Sequence, residues 1–513
     1  MPQTESTAAN NKRIAKNTLL LYVRMLLTMA VTLYTSRVIL QALGVEDFGI
    51  YNVVGGVVSM FSFINAAMTS ATQRYITFSL GKGDTDELNK VFSTALQIHV
   101  LIAIILVILV ETVGLWFLYN KMQIPPDRVN AAFWVLQCSI VSTVILIVSV
   151  PYNACIIAHE RMSAFAYISI IDVTLKLLIV YLLLIFPYDK LVFYAVLFTA
   201  VQLLIRFCYS IYCHRHFSET KYHHVWAKSL FIEMTSFAGW SLWGNFAAIL
   251  FTQGLNLLLN VFFGPMVNAA RGIAVQVQAA VQQFVGSFQM ALNPQITKTY
   301  AIGDLEHMHS LMFRSARFSF LLLLILSLPL LFETKYVLTL WLKTVPQDAV
   351  IFTQIMICIS LLYTIANPCV IANQATGKVK VYQAVVGGIL LLIVPISYVV
   401  LKLGAPAYSV FIVHFVIESI AQFSRMYMLR KLINLPIRRY ITNIYLPIFY
   451  VIALSIVLPI FVKINYNEGL TRLILVSLTC ILSTSLSAYF LGLTKHERDF
   501  LTNKALQALK IRI

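Results

Sequence analysis

Apolar stretches of 20 or more residues recur from one end of this 513-residue chain to the other. A helix needs about 20 such residues to cross the hydrocarbon core of a bilayer. Only 12% of the residues are charged, whereas soluble domains carry roughly 25%. Membrane barrels are built from short alternating strands, which these continuous runs do not provide. We therefore predict an all-α, polytopic membrane protein.

The hydropathy pattern predicts about fourteen transmembrane helices. Both chain termini would then lie on the same side of the membrane. The predicted spans are 16–42, 47–79, 91–118, 130–157, 164–186, 190–213, 229–260, 265–296, 312–333, 348–373, 380–402, 406–429, 441–463 and 469–492.

The net charge of +17 is distributed unevenly along the chain. Lysine and arginine concentrate at the termini and in the even-numbered loops, and Arg430, Lys431, Arg438 and Arg439 lie in one such connection. Cytoplasmic loops are enriched in these residues, so we expect both termini in the cytoplasm. The charge therefore reports orientation, and no basic domain with interleaved aromatic residues predicts a nucleic-acid partner.

Neither a cofactor nor a metal is expected. The seven cysteines all fall within predicted spans, where they act as small apolar packing residues. Four histidines share one predicted loop (His214, His216, His223 and His224) but lack the spacing of a metal site. The chain contains no phosphate-binding loop, nucleophile elbow or dinucleotide fingerprint, so neither an ATPase nor another enzyme is predicted.

An internal repeat relates the two halves of the chain. Three places share an offset of 220 residues: Gly44 with Gly264, Ile76–Thr77 with Ile296–Thr297, and Gly83–Asp84 with Gly303–Asp304. A repeat of six helices predicts two lobes related by an axis along the membrane normal, with a central cleft between them. The predicted domains are an N-lobe (1–228), a C-lobe (229–430), and two extra helices with a cytoplasmic tail (431–513).

The eighth predicted span carries the most informative polar row. At about 100° per residue, six positions fall in one stripe: Arg271, Gln278, Gln282, Gly286, Gln289 and Asn293. A lipid-facing helix does not tolerate such a row. Hydrogen bonding between helices is the structural alternative, but the aligned cation favours a cavity lining.

Three further spans repeat this pattern and complete the predicted cavity lining. Their polar rows are Asn17, Arg24, Thr28 and Thr35 in span one; Asn52, Gly56, Ser59 and Ser70, with Gln73 and Arg74 beyond them, in span two; and Ser241, Asn245, Thr252 and Asn256 in span seven. Arg206 shares a face of span six with Thr199 and Gln202 and is, like Arg74, a further candidate cavity cation.

Arg24 and Arg271 have no acidic residue one turn away on their own helices. A cation at mid-membrane costs about 2.5–3.5 kcal/mol on insertion scales. A guanidinium matches the oxygens of a phosphate group. We therefore predict that these two arginines bind an anionic ligand, with an acidic partner from another helix as the structural alternative.

Two groups of residues are candidates for ion coupling. Asp172 lies four residues before Lys176 and can neutralise it, so a structural pair is the simpler interpretation. In span twelve, His414 and Glu418 share a face with Gln422 and Arg425. That row is either a titratable coupling site or a helix-packing network.

Four segments resemble bacterial polysaccharide flippases of the multidrug/oligosaccharidyl-lipid/polysaccharide (MOP) exporter superfamily. They are Lys16–Arg24 (KNTLLLYVR), Gly44–Tyr51 (GVEDFGIY), Gln73–Tyr75 (QRY) and Ala372–Lys378 (ANQATGK). The second, with Leu43 before it, is similar to a Leu-Gly-x-x-x-Tyr-Gly turn that recurs in this family after helix one.

The resemblance implies a MATE-like fold and a function. The protein would move undecaprenyl-pyrophosphate-linked oligosaccharide from the cytoplasmic to the periplasmic leaflet by alternating access, for cell-surface polysaccharide such as O-antigen or capsule. Arg24 and Arg271 would hold the pyrophosphate. Asn245 and the glutamines of span eight would bind sugar hydroxyls. The bacterial inner membrane would be its location, and a polysaccharide polymerase and other assembly proteins its partners.

Three alternatives remain open. A lipid II flippase would share the cationic cavity and the extra helix pair. A multidrug antiporter of the same superfamily would carry carboxylates in its lobes, whereas Glu233 lies only near the entrance of span seven. A membrane glycosyltransferase or ligase would need a catalytic carboxylate or a large extramembrane loop, and neither is evident.

Overall fold

The computed structural model describes residues 7–59, 62–120, 122, 124–185, 189–221, 227–342, 345–495, 497–499 and 502. The regular structure of this part is helical throughout, which confirms the predicted fold class. The helices are α1 (Thr7–Ser59), α2 (Ser62–Lys82), α3 (Thr85–Leu109), α4 (Leu115–Asn120), α5 (Val129–Ala158), α6 (Met162–Ile185), α7 (Lys190–His216), α8 (Lys228–Phe263), α9 (Pro265–Ala301), α10 (Leu305–Leu342), α11 (Ala349–Thr376), α12 (Val379–Leu391), α13 (Ile393–Lys402), α14 (Ser409–Ile433), α15 (Ile437–Tyr440), α16 (Leu446–Asn465) and α17 (Leu470–Ser487).

Ten helical segments of the described chain are long and apolar enough to cross a membrane. They are Thr85–Asn120, Pro126–Ala158, Met162–Ile185, Lys190–His216, Lys228–Phe263, Leu305–Leu342, Ala349–Thr376, Val379–Lys402, Ile437–Asn465 and Leu470–Gly492. The other four predicted spans fall in α1, α2, α9 and α14. These are also helical, and they carry the predicted polar rows of spans one, two, eight and twelve, which lower their hydropathy.

The turns related by the repeat have the same backbone conformation. Gly44 and Gly264 both have a φ of 80°, and the later pair, Gly83 and Gly303, have φ values of 74° and 79°. This left-handed region is open to glycine because it has no Cβ atom. The equal dihedrals at an offset of 220 residues extend the sequence repeat to the local structure.

The described residues fall into two compact units. Unit 1 comprises those of Met1–Phe246 and Thr297–Asp304, and unit 2 those of Ala247–Ile296 and Leu305–Ile513. The lobe boundaries at residues 228 and 430 stay a prediction.

The core of unit 1 is apolar and contains Val54, Leu106, Val135 and Leu136. At one end of this unit, the last turn of α9 packs against α2. A Cβ atom at Gly81 would lie only 2.9 Å from the Cβ of Ala301.

A buried ion pair holds the same region of unit 1 together. Lys298 donates to the carboxylate of Glu160 at 2.7 Å, and the carboxylate side chain is almost fully buried. The side-chain amide of Asn17 donates to the carbonyl oxygen of Glu160. The first helix is therefore tied to the turn that follows α5.

The core of unit 2 is centred on α10 and α11. More than half of the apolar stretch of each of these helices is buried, and Phe352 packs against Phe411 with ring centroids 4.7 Å apart. Two buried ion pairs link α10 to the C-terminal region: Glu333 with Arg472 and Arg317 with Glu497. The described residues from 431 to 499 are thus attached to α10 by charge as well as by packing.

Large apolar side chains remain exposed along the outer faces of both units, as Trp116, Phe207 and Phe461 illustrate. Continuous apolar surface of this kind in a soluble protein would promote aggregation, whereas acyl chains solvate it. Together with the ten apolar helices, it identifies a multi-pass membrane protein.

Candidate functional site

Arg24 lies in the first helix of unit 1 and has a partly buried side chain. Its guanidinium carbon is 4.7 Å from the ring centroid of Phe165, an arrangement that stabilises a cation without neutralising it. Its Nε atom is buried without a hydrogen-bond partner. No carboxylate of the described residues forms a salt bridge with Arg24. The binding of an anionic ligand by Arg24 stays a prediction.

The other two candidate cations of unit 1 also lie over aromatic rings. Arg206 is 3.9 Å from the ring centroid of Tyr152, and its Nη1 atom is buried without a hydrogen-bond partner. Arg74 is buried at 4.4 Å from the ring of Tyr75 and 4.7 Å from that of Phe78. The aromatic faces hold both guanidinium groups in place, and their role in a cavity stays a prediction.

The pair predicted from the i,i+4 spacing in α6 is present. Lys176 donates to Asp172 at 2.7 Å, and its ammonium group also lies 5.2 Å from the ring centroid of Phe198. Each charge is thus balanced within its own helix, as the structural interpretation of this pair expects. A coupling role for Asp172 and Lys176 stays a prediction.

Arg271 is the candidate cation of unit 2. The turn at Gly264 folds α9 back along α8, so that Nη2 of Arg271 donates to the carbonyl oxygen of Thr252 at 2.8 Å. The side chain is 9% exposed, and its Nε atom is buried with no hydrogen-bond partner among the described residues. Within the described chain, no carboxylate forms a salt bridge with it. The one bond to a carbonyl orients the guanidinium but leaves its charge uncompensated.

The glutamines that follow Arg271 along α9 face α11. The side-chain nitrogen of Gln278 donates to the carbonyl oxygen of Met356, that of Gln282 to Oγ of Ser360, and that of Gln289 to the carbonyl oxygen of Thr364. The acceptors are spaced by one helical turn, so the row forms a hydrogen-bonded ladder between two helices. This is the alternative that the sequence left open for the row. The amide oxygens of these glutamines do not take part in the ladder, and a sugar-binding role stays a prediction.

The remaining residues of the predicted cavity lining are spread over both units. Thr28 and Asn245 in unit 1 and Asn293 in unit 2 are partly buried. Asn256 lines a groove of about 560 Å³ in unit 2. The side chains of Asn52 and Ser59 lie outside the described part of the structure.

The second candidate coupling group contains a buried ion pair. Arg425 donates to Glu418 at 2.7 Å, and the two side chains are only 4% and 7% exposed. Arg425 also contacts the hydroxyl of Tyr382. His414 packs edge-on against Phe251, with ring centroids 5.0 Å apart. Glu418 is therefore engaged in helix packing, and a coupling role for it and for His414 stays a prediction.

Sequence reasoning missed the ion pairs that join distant helices. The partners Lys298–Glu160, Arg472–Glu333 and Arg317–Glu497 are separated by 138 to 180 residues. Intrahelical spacing detects only partners three or four residues apart. For Glu333 the available signal was the acid itself, since a carboxylate inside an apolar run requires a partner; Glu160 and Glu497 lie outside the apolar runs and gave no such signal.

One titratable pair lies between the membrane-spanning segments of unit 1. His159 contacts the carboxylate of Glu219 at 2.5 Å and stacks on the ring of Phe217. Burial alone would raise the pKa of Glu219, but hydrogen bonds from His159 and from the backbone outweigh it and hold that pKa below its usual value. The ionised form of Glu219 therefore stabilises the folded protein.

No family model matches this chain. It is 22% identical over 307 residues to the uncharacterized membrane protein EpsK of Bacillus subtilis (strain 168). The match covers 58% of this chain and spans about three fifths (59%) of the length of that relative.

Solved structures share the architecture over most of their length. A MATE crystal structure in the straight conformation has a TM-score of 0.69 at 12% identity and covers 83% of this chain and 96% of its own. The chain has a MATE fold. The MATE transporter ClbM in complex with Rb⁺ gives 0.67 at 15% identity, covering 82% and 96%. An outward-facing multidrug resistance MATE family transporter of the MOP superfamily gives 0.66 at 13%, with the same coverages.

Proposed function

We propose that this protein is a flippase that moves undecaprenyl-pyrophosphate-linked oligosaccharide across the bacterial inner membrane, from the cytoplasmic to the periplasmic leaflet. One observation carries the proposal. Arg24 and Arg271 lie in helices of a membrane protein, and neither has a carboxylate partner among the described residues. An anionic ligand would supply the missing negative charge.

The chemistry of the two arginines suits a phosphate ligand. Each has a buried Nε atom that lacks a hydrogen-bond acceptor, and leaving a buried donor unsatisfied costs about 1–3 kcal/mol, or more for a charged group. Phosphate oxygens accept two parallel bonds from a guanidinium. Binding a pyrophosphate would therefore satisfy donors that the protein leaves unmet.

The rest of the ligand would use the uncharged polar residues and the lipid. Amide side chains such as Asn245 and Asn256 both donate and accept hydrogen bonds, as sugar hydroxyls do. The prenyl tail would remain among acyl chains while the head group crosses by alternating access. The MATE fold supports a transport function of this kind, and both chain termini would lie in the cytoplasm.

A cation-coupled multidrug antiporter is the second candidate, because the solved structures with this fold include a multidrug transporter and a complex with Rb⁺. A cationic substrate needs available carboxylates. Three carboxylates of the membrane helices already have basic partners: Asp172 with Lys176, Glu333 with Arg472, and Glu418 with Arg425. A cation would have to displace one of these partners or use Glu111 or Glu233, which form no salt bridge among the described residues; Glu233 accepts a hydrogen bond from the hydroxyl of Tyr75. The pairing of the other three carboxylates favours the anionic substrate.

Ligand preference of the purified protein tests the proposal. A short-chain prenyl-pyrophosphate disaccharide should bind at micromolar or lower concentration. Ethidium, a cationic dye, should be a poor competitor for this binding. Tight ethidium binding without binding of the pyrophosphate lipid would contradict the proposal and support the antiporter. Exposed Arg215 provides the control: Arg215→Ala should bind the disaccharide lipid as the unmodified protein does.

A further inference from the structure

An open groove in unit 2 is lined by four amide side chains. Gln253, Asn256 and Asn260 come from one face of α8, and Asn268 comes from α9, across the turn at Gly264. The volume of about 560 Å³ is within the range of about 300–1,000 Å³ that is typical of ligand pockets. Among the described residues, none that lines the groove is charged.

The amides of the groove are not used for hydrogen bonds between the described helices. The described part of the chain offers no hydrogen-bond partner to their side chains, and the Oδ1 atom of Asn268 is buried without one. The glutamines of α9, by contrast, are used in the ladder to α11. A membrane helix that directed three unsatisfied amides into acyl chains would lose several kcal/mol. The groove therefore requires water or a polar ligand.

The lining selects the chemistry of that ligand. An amide presents two donors and an acceptor, which together suit hydroxyl groups that both donate and accept. Anions and divalent cations are usually bound by charged side chains, and an apolar ligand would leave the amides unsatisfied. Leu250 and Leu257 add apolar surface beside the amides, and Leu257 is 66% exposed. A sugar ring, with hydroxyls at its edge and C–H groups on its faces, satisfies both kinds of lining.

The groove and the cation of unit 2 lie on adjacent turns of the same two helices. Asn268 precedes Arg271 by three residues, so their side chains are neighbours on the surface of α9, about 4.5 Å apart along its axis. Asn256 follows Thr252 by one turn of α8, and the carbonyl of Thr252 accepts from Arg271. A ligand with a phosphate at Arg271 would thus extend its next groups into an uncharged, amide-lined space.

We propose that this groove is a binding site for neutral sugar rings, and that it receives the sugars closest to a phosphate held at Arg271. The second part rests on the proposed function, whereas the first does not. The close approach of α8 to α13 fixes the floor of the groove, because a Cβ atom at Gly254 would lie 2.7 Å from Cγ2 of Val394. The backbone of α8 is therefore held in place while its amides remain free.

The first experiment uses a sugar without phosphate, so that its result does not depend on the flippase proposal. Saturation-transfer NMR should detect maltotriose binding to the purified protein at millimolar concentration. The variant Asn256→Leu/Asn260→Leu should reduce the signal at least tenfold. The matched control is Asn465→Leu, at the end of α16, where the amide bonds to its own helix; it should leave the signal unchanged. An equal signal in all three proteins, or none in the unmodified protein, would overturn the groove site.

The second experiment separates the sugar from the phosphate. Farnesyl-pyrophosphoryl-N-acetylglucosamine should bind at least tenfold more tightly than farnesyl pyrophosphate. In the double leucine variant the two Kd values should become about equal, and the Kd of farnesyl pyrophosphate should not change. A ratio that survives in the variant would overturn the placement of the sugar next to Arg271. Maltotriose binding without binding of either lipid would retain the groove and reject the proposed function.

Discussion

Nη2 of Arg271 donates a hydrogen bond to the carbonyl oxygen of Thr252 at 2.8 Å, and the Nε atom of the same guanidinium has no partner in the described part of the chain. A backbone carbonyl can orient an arginine, but it contributes only a partial negative charge. The guanidinium is therefore positioned without being neutralised. Such an arrangement is suited to the binding of an anionic ligand.

Replacing Arg271 should separate the effect of charge from that of hydrogen-bond geometry. Hydrogen bonds to charged groups contribute about 1.5–3 kcal/mol, so Arg271→Ala should weaken the binding of farnesyl pyrophosphate by about ten- to hundredfold. Arg271→Lys should lose less, because it keeps the charge but lacks the two-pronged donor. Isothermal titration of the purified variants measures both. Thr252→Val retains the carbonyl and should bind normally; equal affinity in all variants would remove Arg271 from the site.

The buried pair of Glu418 and Arg425 should matter for stability. Removing one partner of a buried pair leaves an uncompensated charge at a cost of about 3–5 kcal/mol, so Glu418→Ala should lower the unfolding temperature clearly. Glu418→Leu/Arg425→Met removes both charges and should recover most of the loss.

The exposed pair of Glu306 and Arg439 is the control for that comparison. Glu306→Ala should change stability by no more than about 1 kcal/mol. Thermal unfolding in detergent measures all three variants. A double variant that is as unstable as Glu418→Ala would mean that the side chains contribute through shape and not through charge.

Acid should destabilise unit 1 through Glu219. Its pKa is lowered in the folded state because the hydrogen bonds from His159 and the backbone outweigh burial. The resulting stabilisation is complete above the unfolded-state pKa of about 4.3 and is lost as the pH falls through the lower folded-state value. Glu219→Gln should therefore reduce the drop in unfolding temperature between about pH 6 and pH 3. An unchanged acid profile would contradict this, with exposed Glu306→Gln as the control.

The turn at Gly264 should resist substitution. With φ at 80°, a side chain there would adopt a left-handed conformation that costs about 1–2 kcal/mol. Gly264→Ala should lower the unfolding temperature, whereas Gly272→Ala, inside α9 with no atom within 4 Å of the new Cβ, should be neutral or stabilising. Equal unfolding temperatures for the two variants would mean that the left-handed backbone at Gly264 does not limit substitution there.

The polytopic helical fold could be predicted from hydropathy because apolar runs report directly on membrane helices. The turn glycines could be predicted as well, since Gly44 and Gly264 recur at a fixed offset. The hydrogen-bond partners of the span-eight glutamines could not be predicted, because periodicity places these residues on one face of the helix but does not identify the element that this face contacts. Gln289, which bonds to α11, and Asn256, which lines the groove, were predicted to do the same thing.

The partners of buried acids were also beyond the reach of the sequence. Glu333 interrupts α10 with non-helical dihedrals and accepts from Arg472, a contact that exists only because α17 packs against α10. Glu333 is thus engaged by a basic partner that lies 139 residues away in the chain. Arg24 and Arg271, by contrast, have no carboxylate partner among the described residues.

Transbilayer movement of a lipid-linked sugar tests the central claim most directly. Proteoliposomes containing a fluorescent prenyl-pyrophosphate disaccharide should expose the inner-leaflet probe to an external quencher in the presence of the unmodified protein and of Arg215→Ala. Arg24→Ala and Arg271→Ala should each slow this movement at least tenfold while remaining folded in the membrane. Movement at the unmodified rate in both variants would contradict the account.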